Sequence, residues 1–136
     1  MTLPELPHLL EAARAWARGS YAVEAAVELL AHHGTWLHRR DFLRMAVEYA
    51  PATYGQTPYA SISWDTLHSA LFNGLLPCSN SEAAVLRIAL SLAEGHPVDL
   101  GPAITRLDRT NLAYVLAAIR HAGGDRHAWA SVGDTP

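Results

Sequence analysis

Ser79-Asn80-Ser81-Glu82-Ala83-Ala84-Val85-Leu86-Arg87-Ile88-Ala89-Leu90-Ser91-Leu92-Ala93-Glu94-Gly95 is the stretch that decides the fold. The string Ser79-Asn80-Ser81-Glu82 starts a helix, with serines suited to capping it, and Gly95 with Pro97 beyond it is a stop. Between them Val85, Leu86, Ile88, Ala89, Leu90 and Leu92 cover almost the whole circumference of a helix over residues 82–94. A helix apolar on nearly every side must lie at the centre of a bundle or at a subunit interface.

The flanking sequence supplies shorter rods. Downstream, Asp99 caps a short helix through Leu107, and Asp108 caps a last one over 109–122, ended by Gly123 and Gly124. Its core stripe reads as Leu112, Val115, Leu116 and Ile119. Upstream, Ser63 caps a helix to about Phe72 that turns Trp64, Leu67, Ala70 and Leu71 inward, and residues 75–79 form a turn. Further upstream, the spacing predicts helices over 6–18, from Ser20 to Gly34, and over 40–49. The second of these carries Val23, Ala26, Val27 and Leu30 on one stripe, and Pro51 ends the third. Residues 51–61 hold Pro51, Gly55, Pro58, Tyr54 and Tyr59 without a period and read as an exposed loop, with only Ala60 to Ile62 hinting at extended structure.

The expectation is an all-α fold, a compact orthogonal bundle of six or seven short helices. One helical domain occupies 1–124, and 125–136 is a polar tail, flexible or docking, in which Trp129 and Val132 are the apolar residues. At 136 residues the chain falls within the usual span of about 100 to 200 for a single domain. Of these residues, 24 are alanine, so the helices must approach closely to enclose a core.

Composition narrows function mainly by exclusion. All ten basic residues are arginine, which fits coding bias in a GC-rich bacterial or phage genome and needs no ligand to explain it. A net charge of -3 gives no general attraction to nucleic acid or anionic lipid. Cys78 stands alone, so no internal disulfide forms, and no run resembles a signal peptide or a membrane span; a cytoplasmic setting is expected.

Three kinds of site are worth testing. Arg39, Arg40 and Arg44, with Trp36 just upstream, form the densest basic patch, which a helix could offer to phosphates. Asp41 inside the patch and the overall charge argue against this. Tyr54, Tyr59 and Trp129 are aromatic candidates for a protein interface. The histidines His32, His33 and His38 straddle the Gly34 break, Asp65 and His68 lack a second pair, and Cys78 lacks a partner base. No metal, cofactor or catalytic residue is therefore assigned. The reading that follows is a non-enzymatic helical interaction or accessory protein that self-associates or binds a protein partner. Its alternative is a nucleic-acid-binding regulator using Arg39, Arg40, Arg44 and Trp36.

Overall fold

The computed structural model describes residues 3–52, 55–130 and 132. In chain order these form α1 (Leu6–Ala17), α2 (Tyr21–His33), a 3₁₀ turn (Trp36–His38), α3 (Arg40–Ala46), β1 (Val47–Ala50), β2 (Tyr59–Ile62), α4 (Trp64–Phe72), α5 (Asn80–Glu94), α6 (Leu100–Thr105) and α7 (Arg109–Ala122). The fold is all-α in character, 62% helical, with one two-stranded antiparallel hairpin at its edge.

The ends of the helices are set by local chemistry. At the start of α5 the Ser79 hydroxyl accepts from the Glu82 N–H at 3.1 Å, while the Glu82 carboxylate accepts from the Ser79 N–H at 2.8 Å. Two amide groups that would otherwise lack partners are thus satisfied reciprocally. Ser20 and Asp108 cap α2 and α7 in the simpler way, by accepting from the Val23 and Asn111 amides. Gly34 closes α2 at φ +87°, a left-handed conformation that a side chain would strain.

Packing then follows from which faces are small. α5 buries Ala84, Val85, Leu86, Ile88, Ala89 and Leu90, and lies at the centre, as its apolar circumference requires. α2 packs against α5 and α7, and its Ala25, Ala26, Val27, Leu29 and Leu30 have almost no exposed surface. Alanine at the contact lets helix axes come close, so dispersion contacts are made by backbone and Cβ atoms as well as by long side chains. Trp36 is fully buried; its indole N–H donates to the Glu82 carbonyl at 3.1 Å, and its ring packs on Phe42. That bond ties the turn after α2 to the first turn of α5.

Two sequence expectations are corrected. The helix expected over 40–49 ends at Ala46, and residues 47–50 pair with 59–62 in the register Val47↔Ile62, Glu48↔Ser61, Tyr49↔Ala60 and Ala50↔Tyr59. Val47 and Tyr49 alternate with exposed Glu48 and Ala50, a period of two, and Pro51 denies a helix the room to continue. The hairpin lies against α1, which covers Ala60 and Ile62. The second correction concerns α7. Val115 is buried as expected, but with Ala117 and Ala118 beside it, while Leu116 and Ile119 face outward.

Because Leu86 is fully enclosed at the central contact, Leu86→Ala should lower the unfolding free energy by about 2–5 kcal/mol. Urea unfolding followed by circular dichroism would measure the change.

Candidate functional site

Two features on opposite sides of α7 stand out: an inner polar tie and an outer apolar face. The tie begins with Trp129, whose indole N–H donates to His121 Nδ1 at 2.9 Å and whose ring stacks on His32 with centroids 4.2 Å apart. An indole nitrogen can only donate, so His121 Nδ1 accepts and the ring proton sits on Nε2, which bonds Glu24 at 2.9 Å. Glu24 also accepts from the Gly19 N–H at 2.9 Å. The chain Trp129–His121–Glu24–Gly19 therefore fastens the segment after α7 to α2 and to the turn preceding it, with Ala128 buried alongside.

Next to this tie a cleft of about 220 Å³ is lined by Arg14, Arg18, Glu24, Val27, Glu28 and His121, with Ala17 at its wall. Three of its four charged side chains, Arg14, Glu24 and Glu28, are engaged within the chain, and Arg18 is exposed. Arg14 grips Glu28 through two nitrogens at 2.6 and 2.8 Å, and Glu24 is bound as above. With both His121 nitrogens engaged, the ring has no free position from which to take a proton from a substrate. Burial alone would raise the Glu24 carboxyl, but hydrogen bonds from His121 and Gly19, together with the charge of Arg18, outweigh it and hold the group below its ordinary value.

The sequence-predicted residues are dispersed. Arg39 is not free on a helix face: its guanidinium pairs with Asp41, donates to the Pro77 carbonyl at 2.7 Å and lies over the Trp36 ring. Trp36 faces the core and cannot stack on a base, so the patch reduces to the exposed Arg40 and Arg44. Tyr59 is half-exposed on β2, Tyr54 lies outside the described residues, and Trp129 is spent on the intramolecular tie. Of the two that fall within the described residues, Tyr59 is the one facing solvent.

The histidine groups are likewise split. His32 Nδ1 meets the Glu28 carbonyl at 2.9 Å, His33 Nδ1 meets Asn111 Oδ1 at 3.0 Å, and His38 is exposed. Asp65 bonds His96 at 2.9 Å, and His68 lies flat on the His96 ring with centroids 4.2 Å apart, a stack rather than a ligand arrangement. Among the described residues no three of His, Cys, Asp or Glu form a group able to hold a metal ion. Burial pushes the Cys78 thiol up, and Glu82 adds to this, opposed by Arg39 and Arg87.

The outer face of α7 is what sequence reading missed. Leu116 is 54% exposed and Ile119 44%, with the half-buried Leu112 one turn before them. These three sit at i, i+4 and i+7 and so form one stripe. Period alone could not orient it, because the alanines at 117 and 118 make an equally apolar and better-fitting inner face.

No protein-family model, curated protein or solved structure matches the chain. Among the described residues no helix is long and apolar enough to cross a membrane.

Two measurements check these assignments. The Glu24 carboxyl is held below 4.5, so its stabilisation is complete above that pH and is lost as the pH falls from there through the folded-state value. Thermal midpoints should therefore drop below pH 4.5, and Glu24→Gln should reduce that dependence. For Cys78, a thiol raised by burial should alkylate with iodoacetamide at neutral pH at least about tenfold more slowly than a free cysteine, and should speed up on unfolding.

Proposed function

We propose that this chain is a non-enzymatic interaction or accessory protein that docks through the outer face of α7. The observation that carries the reading is the orientation of that helix: its alanines meet α2 and α5, while Leu116 and Ile119 turn to water. Single exposed apolar residues are common and mean little. A stripe of three on a regular, well-capped helix is different, because it offers a continuous surface whose side-chain geometry is already fixed. Covering two side chains that are each about half exposed contributes roughly 1 kcal/mol apiece, enough to anchor a contact but too little for a permanent one.

Other features fit a docking role better than catalysis. Apart from the exposed Arg18, the charged side chains of the cleft beside α7 are engaged within the chain, and His121 is committed on both sides. Nucleic-acid recognition through α3 finds less support, since Arg39 is engaged by Asp41 and two arginines are few against a net charge of -3.

The test is the mass of the chain in cleared lysate of its own host, crosslinked before separation so that a short-lived contact is retained. Size-exclusion should place it above its own 14.8 kDa. The double substitution Leu116→Ser, Ile119→Ser should return it to monomer size, with a thermal midpoint no lower than that of the native chain. Wild-type elution at monomer mass, or elution unaffected by the substitutions, counts against the reading.

A further inference from the structure

We infer that the occupant of the α7 face is an amphipathic helix carrying carboxylates, and not a second copy of this chain; the inference rests on the docking reading above. Charge separates the two occupants. At about 100° per residue, Arg109, Leu116 and Arg120 point within about 40° of one another, with Leu112 and Ile119 together on the neighbouring strip. Arg109 and Arg120 are both exposed, and no carboxylate of the described residues forms an ion pair with either. Between Arg109 and Ala122 the helix contains no Asp or Glu at all. The adjoining Asp108 is taken up in capping, 2.7 Å from the Asn111 amide nitrogen.

Such a face is a poor match for itself. If two α7 helices paired antiparallel about Leu116, the same flank of each would meet, and Arg109 of one would fall about 5 Å along the axis from Arg120 of the other. If they paired in parallel, the arginines would meet the apolar strip, which supplies no acid. Both arrangements leave cations without partners, the like-charge penalty by which surfaces reject the wrong occupant.

The complement follows from the same geometry. It is a helix with Leu or Ile at i, i+4 and i+7 to cover Leu112, Leu116 and Ile119. Beside that stripe it carries carboxylates about three turns apart, because Arg109 and Arg120 are separated by about 16 Å along the axis. The carboxylates contribute orientation and encounter rate, and the aliphatic stripe contributes most of the affinity.

The experiment uses the full chain and two fluorescein-labelled helical peptides of 18 residues. Both have the aliphatic stripe; one carries glutamate and the other lysine at the flanking positions three turns apart. Fluorescence anisotropy should show the glutamate peptide binding at least about tenfold more tightly at low salt, with the difference shrinking as salt rises. In the Arg109→Glu, Arg120→Glu variant the preference should invert in favour of the lysine peptide. Light scattering of the chain alone at micromolar concentration should give a monomer.

Equal binding of the two peptides, binding of neither, or a preference that survives charge reversal overturns the inference. So does a dimer of the purified chain that Leu116→Ser dissolves, which would make a second copy the occupant while the docking reading stands. The docking reading itself fails separately, if Leu116→Ser with Ile119→Ser leaves the lysate mass unchanged.

Discussion

The close approach of α2 to α5 and α7 constrains everything else in this molecule. Ala25 and Ala26 on α2, Ala84 and Ala89 on α5, and Ala117 and Ala118 on α7 are all buried, so the three helices are held by contacts that leave little room for larger groups. An interior of this kind loses less side-chain entropy on folding than one of long aliphatics. It is also intolerant of added volume, because packing at near-crystalline density has no slack to give. The larger side chains, Trp36, Phe42, Leu67 and Leu76, fill the spaces around this contact and connect it to the hairpin and α4.

That constraint explains what could be read in the sequence and what could not. The central helix was legible because Ser79, Glu82 and Gly95 punctuate it and because its apolar residues leave no face to choose between. The strand at 47–50 was not, since Val47 and Tyr49 also continue the helical spacing, one turn on from Leu43 and Met45; only pairing with residues 59–62, invisible in a local window, selects the extended form. On α7 the ambiguity lay between two faces of one helix. Large aliphatic residues are ordinarily taken as the buried ones, but here the partner helix is lined with alanine and accepts alanine in return.

The candidate site was legible only in fragments. Trp129 stood out as an apolar residue in a polar tail, and its role became clear only when His32 and His121, 89 positions apart, were brought to either side of it. Arg39 looked available for phosphate because its neighbours in sequence are basic, yet the same two-residue spacing that places Asp41 nearby lets the pair close on itself. Short-range patterns predict helices well because helix bonds are short-range. Side-chain partnerships are not, and a histidine's neighbours are set by topology.

The alanine lining of α7 also separates two kinds of change. Since the inner face meets the core through Val115 and two alanines, which carry few rotamers or none, the outer residues can be exchanged without altering what the interior must accommodate. In the proposed docking role, recognition and stability draw on different positions of one helix, and a lineage can rewrite the first while leaving the second intact.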